Sequence, residues 1–513
     1  MAKTTKELYE KYKEIAQKAA DLNYASAVLG WDQEVYMPAK GFALRGQQLA
    51  TLATLSHEMV TNDDYGNLLD ELSGRGDMDA EQQDNVRLSR EDYLKNKKLP
   101  ASFIEKVTEQ VSASYDTWIK ARKENSYKLY APELQKMIAL KIQQAEYYGY
   151  EGNPYDALMD EYEKGATVAM LDPVFEDVKN RLPGLLNRIK EAEQVDDSFL
   201  FKHYGKDKQW DFSIDILKKI GYDFDAGRQD LSEHPFTTSF SPQDVRVTTR
   251  VSENDFASLL WSSIHEGGHA LYEQGLPVSQ YGLPLGEAAS LSVHESQSRL
   301  WENNVGRGIL FWKHYYSQLQ ALFPQQLDGV SLEQFYKGVN KVQPSLVRTE
   351  ADELTYHFHV MIRYEIEKGL ISKELNPNDL AGEWNRMYEK YLGITPPDDK
   401  QGVLQDVHWA HGSFGYFPTY SLGSFYAAQY YAQAKNEIQG LEGQLQKGEY
   451  LPLLSWLRER IHIHGRKYRS DELCKIITGQ GLNFNVFMDY ATAKYHDIYG
   501  ITTPADAAGA DKT

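Results

Sequence analysis

Cysteine is almost absent: Cys474 is the single one in 513 residues. No internal disulfide can form, and this usage suits a reducing compartment. A lone cysteine reads most simply as a small buried apolar residue. Positive charge is also scarce, with 55 Lys and Arg against 74 Asp and Glu and a formal net charge of −19. That balance argues against a nucleic-acid partner and against an anionic membrane surface, since both select basic patches. No apolar run approaches the roughly 18 residues of a membrane span. The opening M-A-K-T-T-K-E-L-Y has no apolar signal core. A cytoplasmic protein without membrane contact is expected. Linkers rich in Gly and Ser, repeats and low-complexity tracts are missing too, apart from Ala505–Thr513, which is expected to fray. With 42% apolar residues and no marked boundary, residues 1–513 are expected to form a single domain.

What the chain does have is helical periodicity. Leu8, Tyr12, Ile15, Ala19 and Leu22 recur at helical spacing across residues 4–30, and Gly30-Trp31-Asp32-Gln33 should break that helix. Helices follow over 43–60, 65–72 and 79–96, then one long helix from Pro100 to about Tyr148, then 173–193 and 207–220. The fold class is mostly α. One segment departs from it. In His234–Val251, Val245, Val247, Thr249 and Val251 alternate with Arg246, Thr248 and Arg250, the period of a strand.

The stretch Ser252–Gly275 follows directly and reads as one helix. Ser252 and Asp255 make a capping-box-like start, and Gly275 with Leu276-Pro277 makes a stop. Inside it lies His265-Glu266-Gly267-Gly268-His269, an H-E-x-x-H pattern. Residues four apart on a helix share a face, so both imidazoles can reach one metal ion and Glu266 can reach a water beside it. The two glycines each cost a helix interior about 1 kcal/mol, and their bare faces would let another backbone or a ligand come close. One loop later, Glu287–Asn304 is a second helical pattern that holds His294 and Glu295. These two point about 100° apart, so one of them faces the metal. Glu295 shares its face with Leu291, Ser298 and Glu302. Two histidines and a carboxylate with an open fourth position form the hydrolytic zinc arrangement.

Elsewhere the reading is plainer. A small sheet beside the metal helix offers an edge on which an extended peptide could lie. His357 and His359, two apart on a helix opened by residues 345–352, point to different faces and read as structural. Gly402–Phe425, dense in Gly, His, Tyr and Phe, reads as irregular chain suited to a substrate-cleft wall.

Several ordered stretches together resemble a known family. They are His234-Pro235-Phe236, Asp244-Val245-Arg246-Val247-Thr248, His265–His269, His294-Glu295-Ser296, Val347-Arg348-Thr349-Glu350-Ala351-Asp352 and Gly402-Val403-Leu404-Gln405-Asp406-Val407-His408-Trp409. The chain resembles the carboxypeptidase Taq family of zinc metallocarboxypeptidases nearly end to end, with Val347 where the family usually has Ile. The resemblance implies a single helical body with a deep cleft and a small sheet near the metal, similar to the neurolysin and angiotensin-converting-enzyme architectures. It implies His265, His269 and Glu295 as metal ligands, Glu266 as general base, and Arg348 as the anchor of the substrate's terminal carboxylate. His234 and Arg246 would also touch substrate, and His408 and Tyr420 would donate to the developing oxyanion. It further implies one Zn²⁺ per chain, replaceable by Co²⁺, and a homodimer.

The function expected is release of C-terminal residues, one at a time, from peptides with a free C-terminus. The alternatives are an oligopeptidase cutting within short peptides and a metal-dependent peptide-binding protein without hydrolysis. Glu266 speaks against the last, because metal ligation alone does not need it.

Overall fold

A computed structural model describes residues 3–501. The expected frayed tail at 505–513 lies outside the described residues. The described residues form two compact units: residues 3–97, 198–332 and 430–481 in the first, residues 98–197, 333–429 and 482–501 in the second. Each unit is assembled from three separate stretches, so no boundary in composition could have marked it.

The first unit opens on a helix whose start is capped twice. Thr4 Oγ1 accepts from the Glu7 amide while the Glu7 carboxylate accepts from the Thr4 amide. The helix spans Thr5–Val35, so Gly30-Trp31 does not break it as expected. Trp31 is buried under the guanidiniums of Arg228 and Arg246, which supplies a tertiary reason for the helix to continue. Its first half buries Leu8, Tyr9, Tyr12 and Ala16 against Leu68, Leu69, Leu72, Met78 and Val86. Burying each large apolar side chain contributes about 1.5–3 kcal/mol.

The sheet has three strands, β1 (Gly227–Leu231), β2 (Thr237–Ser241) and β3 (Asp244–Thr249), in the order β1-β3-β2. β3 carries the alternation read from the sequence, with Val245 and Val247 buried. β2 pairs with it antiparallel, Thr237 opposite Val247, while β1 pairs parallel, Gly227 opposite Val245. The G-R-Q-D-L of β1 has neither β-branched residues nor alternation, so only its partner makes it a strand.

In the second unit the stretch expected as one helix is a hairpin of two, Ala101–Glu124 and Tyr127–Tyr148. The break is Asn125 at φ 52°, a left-handed cap that Asn tolerates. The helix Tyr356–Ile371 is buried on nearly every side. His357 Nδ1 meets Ser421 Oγ at 3.0 Å and His359 Nδ1 meets Tyr388 OH at 2.9 Å, which fits their reading as structural. Glu367 accepts from Tyr155 OH, Trp409 Nε1 (2.7 Å) and the Gly415 amide (2.8 Å). This carboxylate, pushed up to about 7 by burial, fastens the irregular 402–417 stretch to the helix. Gly415, at φ 95°, lies so close to the Leu158 backbone that a Cβ would sit 2.7 Å from it. The expected irregular segment ends at Phe417, and Tyr420 falls in the first turn of the helix Pro418–Glu437.

Glu367→Gln keeps the volume but offers one carbonyl oxygen to three donors. A buried donor left facing the amide costs about 1–3 kcal/mol. Thermal unfolding of this variant should begin several degrees lower, with altered Trp409 fluorescence; an unchanged melting curve would mean the three bonds are dispensable.

Candidate active site

Two groups of polar side chains stand out, one in each unit. The first is built on the helix Phe256–Glu273, capped by Asp255, whose Oδ1 accepts from the Ala257 amide at 3.0 Å. Ser252 lies outside it, so the helix starts one turn later than expected. Leu259, Leu260, Ile264 and Leu271 bury one face, and His265 and His269 rise from another with ring centroids 4.9 Å apart. The second helix spans Leu291–Arg299, capped by Ser290. It passes Gly268 so closely that a Cβ there would stand 2.6 Å from Ser298 Cα and 2.7 Å from the Gln297 carbonyl oxygen. The close approach anticipated for the paired glycines is thus made by backbone, at Gly268. Gly267 faces side-chain tips instead, those of Leu217 and Ile220.

This approach delivers Glu295. Its Oε2 lies 3.4 Å from His269 Nε2 and 3.8 Å from His265 Nε2. Four donors set tetrahedrally at 2.0–2.1 Å from zinc are about 3.4 Å from one another. Ligand atoms of His265, His269 and Glu295 all lie within 4.8 Å of one another. The donor set therefore fits a divalent metal with little adjustment.

The other edge of each imidazole is also occupied. His265 Nδ1 meets Glu302 Oε2 at 2.9 Å, and His269 Nδ1 meets His294 Nδ1 at 2.5 Å. His294 Nε2 in turn meets Glu273 Oε1 at 2.8 Å. Glu302 sits in a π-helical turn, Leu300–Gly306, that continues the Glu295 helix; such widened turns recur at functional sites. Arg299 donates to Glu295 at 2.7 Å and to Glu302 at 3.4 Å, and Arg307 donates to Glu302 at 3.2 Å. Burial would raise both carboxyls, but Arg299 and the histidines hold them well below the usual carboxylate range. Burial likewise pushes His269 down, with His294 adding to it, to about 3. His265 is depressed by burial but raised on balance by Glu295 and Glu302. Glu266 is buried and, for that reason first, raised above an ordinary glutamate. Thr237 on β2 places its hydroxyl 2.6 Å from Glu266 Oε2. A second β2 hydroxyl, that of Ser239, hydrogen-bonds Glu273, so the sheet reaches the group through β2.

The second group centres on a shared carboxylate. Arg348, buried, donates to Asp406 Oδ1 through Nη2 (2.9 Å) and Nε (3.2 Å), and to Tyr356 OH through Nη1 (3.0 Å). Fully buried Arg363 donates to the other oxygen of Asp406 at 2.6 Å. Two guanidiniums thus face one carboxylate, and they hold Asp406 far below the usual range against the effect of burial. Tyr420 lies under the Arg348 guanidinium at 4.8 Å, and its OH is 3.3 Å from His408 Nε2. Burial pushes His408 down to about 3, so its imidazole is neutral. Its Nδ1 has no hydrogen-bond partner among the described residues.

Of the residues read from the sequence, the structure brings His265, His269, Glu295 and Glu266 together in the first unit, and Arg348, His408 and Tyr420 together in the second. Arg246 is engaged elsewhere: it forks onto Asp244 (2.8 and 2.9 Å) and stacks on Trp31 and Phe240. His234 is exposed, and its carbonyl accepts from Ser232. Sequence reasoning missed Thr237, Glu273, Arg299, Arg363 and the bridging role of Asp406. Glu302 shares a helical face with Glu295, and the same signal lay in Arg299, four residues after Glu295, and in Glu273, four after His269.

The family described as "Carboxypeptidase Taq (M32) metallopeptidase" matches residues 11–495. The chain is 38% identical to Carboxypeptidase 1 of Bacillus subtilis, over 96% of this chain and 99% of that protein. It is 40% identical to Thermostable carboxypeptidase 1 of Thermus thermophilus, over 97% of this chain and 100% of that one. Its fold is similar to the crystal structure of an M32 carboxypeptidase from Deinococcus radiodurans, with a TM-score of 0.94 and 40% identity over 96% of this chain and 100% of that one.

The glycine contact makes a paired prediction. Gly268→Ala must push the Glu295 helix away, because the atoms in its path are backbone; overpacking of this kind costs about 1–3 kcal/mol. It should also weaken metal affinity by about tenfold or more, the loss seen when support of a metal ligand is disturbed. Gly267→Ala meets a flexible leucine tip and should bind metal nearly as the unaltered protein does. Chelator competition reads both, and equal affinities would dismiss the contact as the source of the geometry.

Proposed function

Because this chain belongs to the carboxypeptidase Taq (M32) metallopeptidase family and is a metallocarboxypeptidase, we propose that His265, His269 and Glu295 hold its metal and that Glu266 is its general base. The observation that carries this reading is the convergence of two imidazole nitrogens and one carboxylate oxygen whose other atoms are already bonded elsewhere. Zn²⁺ is the favoured ion, since two imidazoles and a carboxylate are its usual hydrolytic donors, and Co²⁺ accepts the same set. A divalent ion held there supplies a Lewis acid that polarises a carbonyl and acidifies water.

Glu266 takes the proton of the attacking water as the new C–O bond forms. It returns that proton to the nitrogen as the C–N bond breaks, so the carboxylate is regenerated. Burial, which raises Glu266, makes it the stronger base, and the Thr237 hydroxyl keeps it in one orientation. The neutral His408 and the Tyr420 hydroxyl are suited to donate to the oxygen that gains charge. Arg348 selects the free C-terminus. Three of its N–H groups are taken by Asp406 and Tyr356, which leaves two of the five a guanidinium carries for a carboxylate. Neither internal cleavage nor binding without hydrolysis is favoured for this family member. A homodimer and a cytoplasmic location belong to the same reading, supported by the family resemblance and by the single, buried cysteine. No helix among the described residues is long and apolar enough to cross a membrane.

Glu266→Gln should retain the metal and the fold while kcat falls about 10²–10⁴-fold. Metal analysis beside turnover of a C-terminally free peptide checks this. Activity within a few-fold of the parent, with metal bound, would reject Glu266 as the base.

Arg348→Ala should lower kcat/KM on free-acid peptides by about 2–5 kcal/mol. It should also narrow the preference for free-acid over C-terminally amidated peptides. If the variant keeps the full preference, the carboxylate is recognised by another residue and Arg348 serves Asp406 alone.

A further inference from the structure

His294 and Glu295 are neighbours on one short helix, and both point at the same imidazole from opposite edges. Glu295 Oε2 lies 3.4 Å from His269 Nε2, and His294 Nδ1 lies 2.5 Å from His269 Nδ1. The roughly 100° between successive helical residues produces this pincer. A neutral imidazole that presents Nε2 to a metal carries its proton on Nδ1. That proton needs an acceptor, and the atom placed to accept it is His294 Nδ1. His294 must then carry its own proton on Nε2, where Glu273 Oε1 waits at 2.8 Å to accept it. A single arrangement of protons satisfies all three side chains. His265 differs, for its Nδ1 meets a carboxylate, that of Glu302, directly.

We infer that His294 is a positioning residue for the metal, holding His269 in the tautomer and ring orientation that a metal ligand requires, with Glu273 orienting His294 in turn. This rests on the metal reading of His265, His269 and Glu295. His294 touches no reacting atom. It acts through His269, and its effect is on how tightly and in what geometry the metal is held. The ring of His294 also packs on His269 and Tyr272 at centroid distances of 4.5 and 5.4 Å, so packing and hydrogen bonding must be told apart.

Three variants separate them. His294→Phe keeps a ring but has no nitrogen. His294→Asn loses the ring but sets a carbonyl oxygen near the place of Nδ1. Glu273→Leu removes the end of the relay and leaves both rings intact. Affinity for Zn²⁺ is measured by chelator competition, and the Co²⁺-loaded proteins give the ligand geometry through their visible spectra. His294→Phe should weaken Zn²⁺ binding about 10–100-fold, the usual loss for an outer partner of a metal ligand, and shift the Co²⁺ spectrum. His294→Asn should recover most of the affinity, and Glu273→Leu should show a smaller loss than His294→Phe. Parent-like affinity in His294→Phe, or a loss in His294→Asn as large as in His294→Phe, overturns the inference. If His294→Phe does not fold, Glu273→Leu decides it, since unchanged affinity there removes the relay. Failure of the parent protein to bind one Zn²⁺ would instead overturn the metal reading itself.

Discussion

The contact at Gly268 is the constraint on which the grouping of His265, His269 and Glu295 depends. Two helices can bring a carboxylate to a pair of histidines only if their backbones come near enough. Here a missing side chain allows it, with the Ser298 Cα and the Gln297 carbonyl in the space a Cβ would fill. The same approach serves both edges of His269, since His294 and Glu295 ride on one helix. Glycine in a helix interior lowers intrinsic helix stability, so this geometry is retained against a local cost of about 1 kcal/mol. Burial of Leu259, Leu260, Ile264 and Leu271 on the same helix offsets that several times over.

Around this contact, buried charge is handled by pairing. Glu295 and Glu302 share Arg299, and Arg307 adds a second cation at Glu302. Removing a partner from such a set leaves an uncompensated charge and is costly, whereas the complete set can be nearly neutral in stability. The second unit inverts the sign. Arg348 and Arg363 both pair with Asp406, two guanidiniums on one carboxylate in a buried setting.

The helices were legible because their signal is local. Apolar spacing and capping residues placed most of them within a few residues of where they lie. Errors fell where tertiary contacts decide. Trp31 is buried by packing, so the first helix runs past Gly30, and Asn125 divides a long periodic run by adopting a left-handed conformation. The strand β1 has no pattern of its own and exists through its pairing with β3.

The H-E-x-x-H spacing determined that His265 and His269 share a helix face, since a period of 3.6 leaves no other outcome. The sequence by itself also determined that Glu295 and His294 diverge by about 100°. It could not decide which of them would meet which nitrogen, because that depends on where a second helix is docked. Nor could it show that Thr237 would hold Glu266, or that Asp406 would bridge Arg348 and Arg363, partners that lie 29 to 58 residues apart in the chain. Such partners are joined by packing alone. Periodicity reports which way a side chain points from its own element; only the tertiary structure decides what stands in front of it.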